Sequence, residues 1–480
     1  MAAKSNFAGG RFVTPEDPAK KLLSTVVICF GCLMTGLSLP TTGPEIDIYR
    51  FGAYVMGIML AAAFAIEGTG GVRSLNRIDI VAIFGLYFLT FAEFLHPHVK
   101  ILYQGFTGNA AFSCRIVLVG MAFLTIGRHF PLPLTLGIGK SQLPELPPRQ
   151  IFWLFIGLFA LTFFWVFLSV KFNPIEVFHY MMAGRFERPW QRGRVGGWTS
   201  FLTEMQLLAY PSAALAGYLF ANAKRFGKWD ILIVAALVGF TLLFFISDGS
   251  RNRVLIYAGI LVSSYFVANV EVKSLKLIAV AGVALAVLWF LSGFMLDFRN
   301  VGLGEYFTGR SASLVVADVS GDFMLDNNLV SIARVAQVFP DVYPFPGWDV
   351  VAQIFTKWIP RALWPDKPID WANSMEMALN TGGAYTIAVT YVGEAYLIAG
   401  LPTVILCSLF LGSLGATWTK VGLAARTNLD LVYYATGFFA AMLGMRSIQF
   451  ITIAFVPLVG FYLLARWLGR NTPQLARRTS

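Results

Sequence analysis

Arginine pairs are the residues of this chain whose type and spacing most directly indicate chemistry. Arg192 and Arg194 stand one residue apart, as do Arg251 and Arg253, and each pair borders a long apolar run with few acidic neighbours. A guanidinium keeps its charge at any relevant pH, and its planar fork of N–H donors fits phosphate oxygens. The two pairs therefore predict a site for a phosphate-bearing polyanion. For any single arginine, pairing with a loop carboxylate or contact with lipid phosphate is the simpler interpretation.

Tryptophans form a second chemical signal, because Trp348, Trp358, Trp364 and Trp371 crowd into one stretch of the chain. A flat aromatic face can stack on a sugar ring, although tryptophan also anchors helices at membrane interfaces. Together with arginines and carboxylates beside apolar segments, these residues predict a site for a glycan joined to a lipid through phosphate.

The elements that must position these residues are membrane-spanning helices. Of the 480 residues, 57% are hydrophobic and 13% are charged, whereas a soluble domain is about 25% charged. The apolar residues fall in blocks of about 17–20, long enough to cross a bilayer as a helix. They do not alternate with polar residues as barrel strands do. The sequence predicts an all-α, polytopic membrane helix bundle, and it excludes a soluble enzyme and a nucleic-acid-binding module.

Twelve spans can be placed on the sequence. They lie near 22–39, 51–66, 78–95, 110–127, 151–170, 200–221, 231–247, 254–270, 277–296, 401–419, 431–446 and 450–467. Basic residues concentrate in alternate loops, which the positive-inside rule assigns to the cytoplasm together with both termini. These residues are Lys20, Lys21, Arg73, Arg77, Arg128, Lys140, Arg149, Lys224, Arg225, Lys228, Lys273, Lys276, Lys420, Arg426 and the basic residues from Arg466 to Arg478.

Two long loops are predicted on the opposite, outer face. The basic loop 171–197 lies within a nine-span region, 1–296, and the large loop 297–400 precedes a three-span region with a cytoplasmic tail, 401–480. Long structured loops usually carry function. Residues 348–359 of the second loop have apolar side chains at helical spacing, which predicts a short helix that lies on the membrane surface or caps the bundle.

The outer loops carry more arginine than the positive-inside rule favours. Arg310, Arg361 and Lys367 lie in the large loop, and Arg446 lies at the tight turn before the last span. Ionisable residues within the predicted spans, such as Glu93, sit near the outer helix ends, and the middle of the spans is nearly empty of charge. That distribution disfavours an ion-coupled transporter and favours a polar cavity that opens outward.

Three segments resemble the oligosaccharide repeat-unit polymerases, the Wzy-type O-antigen and exopolysaccharide polymerases. Residues 359–368, Ile-Pro-Arg-Ala-Leu-Trp-Pro-Asp-Lys-Pro, are similar to an I-P-R-x-L-W-P-x-K-P-like stretch in the large periplasmic loop of that family. Residues 391–396, followed by Gly400, are similar to its G-E-x-Y segment before a late helix. Residues 247–251 are similar to its S-x-G-S-R-like turn, of which O-antigen ligases have a weaker form. The resemblance is best over about 245–420.

The resemblance implies a glycosyltransferase of the bacterial inner membrane that acts at the periplasmic face without a nucleotide sugar or a metal. A growing glycan on undecaprenyl pyrophosphate would move onto the nonreducing end of a newly flipped lipid-linked repeat unit. A flippase and a chain-length regulator are the protein partners that the family suggests. The sequence agrees in showing no Walker motif, no D-x-D and no His/Cys pattern at metal spacing.

That reaction needs donors that stabilise the departing pyrophosphate and a base for the acceptor hydroxyl. Arg251 and Arg361 are the expected catalytic donors. The expected pyrophosphate ligands are Arg192, Arg194, Arg253, Arg310, Arg446 and Lys367. The expected bases are Glu394, which its motif favours, Asp322, Asp366 and His179. The residues expected to stack on sugar rings are Trp358, Trp364 and Trp371.

Three alternatives stay open. An O-antigen ligase differs mainly in its acceptor. Another polyprenyl-linked-sugar glycosyltransferase would use an acidic pair such as Glu45 and Asp47 in the first outer loop. A lipid-linked oligosaccharide transporter is less favoured, because it should line a central cavity with charge through the bilayer.

Overall fold

In the computed structural model, the chain folds into a bundle of helices. The structure describes residues 17–99, 109–133, 143–184, 187–190, 199–269, 302–308, 327–356, 359, 363–364 and 388–478, with isolated residues between 279 and 298. These residues contain helices and no β-strand, so the all-α prediction is confirmed.

Among the described residues, the first part of the bundle contains ten α-helices, and a tight turn joins the last two of them. Its helices are α1 Pro18–Ser38, α2 Glu45–Gly68, α3 Ile78–Thr90, α4 Ala110–Gly127, α5 Pro148–Ser169, α6 Pro174–Met182, α7 Thr199–Glu204, α8 Ala209–Ala221, α9 Lys228–Ser247 and α10 Arg251–Ala268. The turn between α9 and α10 passes through Gly249 at a φ of 62°, a conformation that glycine adopts without steric cost.

The second part of the bundle begins with short helices and ends with long ones. They are α11 Leu303–Phe307, α12 Asn328–Val338, α13 Trp348–Thr356, α14 Thr390–Ala399, α15 Leu401–Ala424, α16 Asn428–Arg446 and α17 Gln449–Arg478. The predicted helix over 348–359 is confirmed as α13. It buries Val350 against the bundle and exposes Trp348 and Phe355 on its other face.

Seven helices in the described part of the chain are long and apolar enough to cross a membrane. They are α1, α2, α4, α5, α9, α15 and the segment Gln449–Arg470 of α17. Other predicted spans fall on α3, which is apolar but has 13 residues, on α7 with α8, on α10 and on α16. The span near 277–296 lies mostly outside the described residues, so the count of twelve stays a prediction.

Contacts between helix ends define the two ends of the bundle. We call the end where α1 begins the inner end, since the sequence places it in the cytoplasm. There Arg128, just after α4, donates to the carbonyl oxygen of Lys21 and pairs with Glu67 at the end of α2. At the outer end, Arg115 in the second turn of α4 donates to the carbonyl oxygen of Gly36, near the end of α1. The directions of α1, α2 and α4 therefore agree with the predicted topology.

Two helices of the predicted large loop are embedded in the bundle. α12 and α14 are buried over most of their length and pack against α4. The Tyr391 hydroxyl, at the start of α14, lies 3.1 Å from Ser408 Oγ of α15 and donates to the carbonyl oxygen of Gly120. Gly120 is ten residues into α4, about 15 Å from its outer end at the rise of an α-helix. α14 returns from that depth to Gly400, where the chain reverses into α15 at a φ of 77°.

Candidate functional site

An apolar groove runs along the bundle between α3, α10 and α16. Its volume is about 350 Å³. Along α10 it extends from Asn252 to Phe266, about 21 Å at the rise of an α-helix, or about two thirds of a hydrocarbon core of roughly 30 Å. The apolar side chains that line it are Phe64, Leu75, Ile80, Val81, Phe84, Phe88, Leu89, Leu255, Ile256, Ala258, Val262, Phe266, Met442 and Leu443.

The polar groups of the groove lie at its two ends. Asn252, in the first turn of α10, and Arg446, the last residue of α16, line the outer end. At the inner end, Asn76 Nδ2 donates to the carbonyl oxygen of Ser263 at 3.2 Å, which joins the start of α3 to α10. The positive end of the α10 helix dipole also faces outward. The groove is therefore shaped for an apolar chain that carries an anion at its outer end.

A buried arginine organises the turn between α9 and α10. The Arg188 side chain is about 1% exposed and lies 3.5 Å from Asp248 Oδ1. It also donates to the carbonyl oxygens of Met181, Ala183 and Ser247. Arg188 thus ties the end of α6 to the end of α9. The sequence showed Arg188 as one basic residue among several in loop 171–197, without a sign that it is buried.

Arg253 belongs to the same ion-pair cluster. Its Nη1 lies 3.5 Å from Asp248 Oδ2 and donates to Gln206 Oε1 at 3.0 Å, and its guanidinium carbon is 6.0 Å from the centre of the Phe245 ring. Arg253 therefore faces α9 and the segment 205–208, whereas Asn252 faces the groove. The sequence has few acidic residues near Arg253, but one of them, Asp248, is its direct partner.

Glu394 of α14 binds the turn that follows Arg446. One carboxylate oxygen accepts a hydrogen bond from Ser447 Oγ at 2.5 Å, and the other accepts one from the backbone N–H of Ile448 at 2.6 Å. Glu394 is 7% exposed and does not line the groove. Its predicted role as a base remains a prediction, and the geometry gives it a second interpretation.

The other predicted site residues divide into described and undescribed positions. Arg251, half-buried, opens α10 next to Asn252. His179 is exposed on α6, which packs against α5 and α9 away from the groove-lining helices, and Trp364 is 37% exposed. The predicted site residues outside the described part of the chain are Arg192, Arg194, Arg310, Asp322, Trp358, Arg361, Asp366, Lys367 and Trp371.

Sequence reasoning missed a network of buried charges at the inner end. Arg77 Nη2 lies 2.9 Å from Glu67 Oε2 and 2.8 Å from Asp79 Oδ2. Arg128 Nη1 lies 2.7 Å from Glu67 Oε1, and Thr419 Oγ1 donates to Asp79 Oδ1 at 3.2 Å. This inner network joins α2, α3, α4 and α15. The sequence did contain a signal for this network, because Glu67 ends one apolar block and Asp79 begins the next.

Comparisons of the chain with protein-family models, with curated proteins and with solved structures found no match. The fold and the groove alone define the general class of this protein. The described part of the chain is all-helical, and seven of its helices have the length and apolar character of membrane spans. Between three of its helices is a groove that is apolar along its length and basic at one end.

Proposed function

We propose that the protein is a membrane glycosyltransferase that polymerises lipid-linked oligosaccharide repeat units at the outer face of the bacterial inner membrane. The observation that carries the proposal is the apolar groove with Arg446 at its outer end, beside the start of α10. The apolar lining suits the isoprene units of a polyprenyl chain that lie next to its diphosphate, and the diphosphate would then lie beside the arginine. The proposal that the lipid carries a glycan, and that the reaction is glycosyl transfer, rests on the three resemblances to the polymerase family.

In the proposed reaction, the donor is the growing glycan on undecaprenyl diphosphate. The bond between its anomeric carbon and the diphosphate oxygen breaks, and the nonreducing-end hydroxyl of an incoming repeat unit forms the new glycosidic bond. The hydroxyl proton passes to a base, for which Asp322, Asp366 and His179 are the candidates. Arg446 and Arg251, with Arg361 from the large loop, stabilise the charge that develops on the leaving diphosphate.

The head group supplies most of the proposed affinity. A polyprenyl tail leaves one apolar environment, the bilayer, for another, so lining the groove with apolar residues gives little hydrophobic driving force. The groove instead fixes the position of the tail, and therefore of the diphosphate. A hydrogen bond to a charged group contributes about 1.5–3 kcal/mol, so each correctly placed arginine matters.

The proposal includes a topology of twelve spans with both termini in the cytoplasm and the groove mouth in the periplasm. It is supported by the directions of α1, α2 and α4 and by the basic residues near the inner end, such as Lys20 and Arg426. A flippase would supply the repeat units and a chain-length regulator would act nearby. The large loop would contact the glycan, with Trp358, Trp364 and Trp371 as stacking residues.

The test is polymerisation by the purified protein in lipid vesicles with lipid-linked repeat units, without ATP or an ion gradient. We expect polymer attached to the lipid carrier, and a loss of about 100-fold in rate for Arg446→Ala, since removing one oxyanion-type donor costs about 3 kcal/mol. Arg251→Ala and Arg361→Ala should express normally and make no long polymer. Arg115→Ala is the matched control, because Arg115 is an exposed arginine at the same end of the bundle and outside the groove.

Other results of this experiment would support the alternative functions or reject the assigned site. Transfer of the glycan only to a different acceptor would indicate a ligase. Movement of intact lipid-linked oligosaccharide across the bilayer, with no new glycosidic bond, would indicate a transporter. Normal polymer length in the Arg251 and Arg446 variants would reject the assigned diphosphate site.

A further inference from the structure

The short turn between α16 and α17 determines where Arg446 stands. α16 ends at Arg446 and α17 begins at Gln449, so only Ser447 and Ile448 connect the two helices. Both connecting residues are buried, at 6% and 8% exposure. A change in the backbone of this turn would move the arginine relative to the groove mouth.

Glu394 holds this turn from a different helix. Its two carboxylate oxygens accept hydrogen bonds from the Ser447 hydroxyl and from the Ile448 backbone N–H. The N–H groups at the start of a helix have no partner within that helix, and an anion there is favoured by the helix dipole. The carboxylate therefore acts as a cap for α17, and hydrogen bonds to an ionised acceptor are stronger than neutral ones.

We propose that Glu394 is a positioning residue for the diphosphate site. It acts through the turn 447–448 to keep the Arg446 guanidinium at the outer end of the groove. The identity of the ligand rests on the proposed function, whereas the role of Glu394 in the turn rests on the hydrogen bonds. A general base must reach the acceptor hydroxyl, but Glu394 is buried and directs both oxygens at the protein backbone and Ser447.

This role connects the large loop to the lipid site. α14, which carries Glu394, ends just before Gly400 and belongs to the same predicted loop, 297–400, as the segment 359–368 that resembles the polymerases. A displacement of α14 would therefore be transmitted to Arg446 through two hydrogen bonds.

A pair of substitutions at one position separates positioning from proton transfer. In Glu394→Gln, the amide oxygen can accept from the Ile448 N–H, and the amide nitrogen can donate to Ser447 Oγ, since a hydroxyl is both donor and acceptor. We expect this variant to polymerise within about threefold of the wild type. Glu394→Ala removes both contacts, and we expect it to lose activity and bind undecaprenyl diphosphate at least tenfold more weakly.

Two further measurements test the route through Arg446. Glu394→Ala combined with Arg446→Ala should bind the lipid no more weakly than Arg446→Ala alone, because residues that act through one contact are not additive. Hydrogen exchange of residues 446–451 should speed up in Glu394→Ala and stay slow in Glu394→Gln. If Glu394→Ala does not fold, Ser447→Ala replaces it in these measurements, because it removes one of the two contacts. We expect Ser447→Ala to weaken lipid binding, but by less than Glu394→Ala.

The proposal is overturned if Glu394→Gln abolishes polymerisation while lipid binding and hydrogen exchange stay normal, because that pattern belongs to a base. It is equally overturned if Glu394→Ala leaves exchange and lipid binding unchanged. Wild-type protein that does not bind undecaprenyl diphosphate would reject the proposed function instead. The exchange comparison would still decide whether Glu394 holds the turn.

Discussion

Replacing Arg128 tests how much the inner network contributes to stability. The Arg128 guanidinium is fully buried and donates to Glu67 Oε1 at 2.7 Å, to the carbonyl oxygen of Lys21 at 2.8 Å and to Thr25 Oγ1 at 2.9 Å. The network contains two arginines and two carboxylates, and the charge of the buried Lys21 also acts on Asp79. Arg128→Ala takes from Glu67 its ion-pair partner at 2.7 Å and removes hydrogen bonds to α1 and α2.

The expected destabilisation follows from that count. Breaking a buried ion pair from one side costs about 3–5 kcal/mol, because the remaining charge is stranded. Folded proteins have a free energy of unfolding of about 5–15 kcal/mol, so this single change removes a large part of it. In a protein that carries Arg128→Ala, adding Glu67→Gln should recover part of the loss, since the glutamine has no charge that needs the missing arginine.

The assay is denaturant unfolding of the purified protein in mixed micelles, followed by tryptophan fluorescence. The control is Arg466→Ala, because Arg466 is exposed and stacks on Tyr462 with 5.8 Å between its guanidinium carbon and the ring centre. An exposed cation–π pair contributes about 0.5–1 kcal/mol. The reasoning is refuted if Arg128→Ala is no less stable than Arg466→Ala, or if Glu67→Gln adds its full cost to that of Arg128→Ala.

Two further substitutions separate stability from lipid binding. Gly85→Leu fills the groove, because a Cβ at this groove-lining position meets only Met445 side-chain atoms, at 3.5 Å or more. It should stabilise α3 by up to about 1 kcal/mol through helix propensity yet abolish polymerisation, whereas the exposed Gly157→Leu should keep full activity. Unimpaired polymerisation by Gly85→Leu would exclude the groove as the lipid site. Arg188→Lys should unfold about 1–3 kcal/mol more easily than the wild type, because one ammonium cannot bind Asp248 and three carbonyl oxygens at once, and a buried acceptor without a donor costs that much. Unchanged unfolding of this variant would contradict the role of Arg188.

The helices themselves were predictable from the chain. Blocks of uninterrupted apolar residues coincide with α1, α4, α5 and α9 within a few residues, because an uninterrupted run of that length can satisfy its backbone in a bilayer only as a helix. The turn at 247–250 was visible as a polar interruption with glycine. The embedded helix α14 was not predictable in this way, since ten residues are too few to stand out as a span.

The partners of each charged residue were not predictable. Arg77 and Arg128 were assigned to inner loops from their positions, and they do lie at the inner end, but both are buried in ion pairs. A single sequence does not tell which helix ends meet, so it cannot pair Arg128 with Glu67, 61 residues away. The groove was not predictable for the same reason, because its lining residues come from three separate parts of the chain.

The outer arginines show why a count of basic residues overestimates the number of phosphate ligands. Arg188 and Arg253 share Asp248, so either would have to leave a carboxylate partner to bind a diphosphate. Such an exchange returns little free energy, because one charge-assisted contact replaces another. Arg446 differs in that its place at the groove mouth is set by the turn that Glu394 holds. The contacts of each arginine within the fold therefore decide which arginines are structural, and a count of basic residues in the sequence does not contain those contacts.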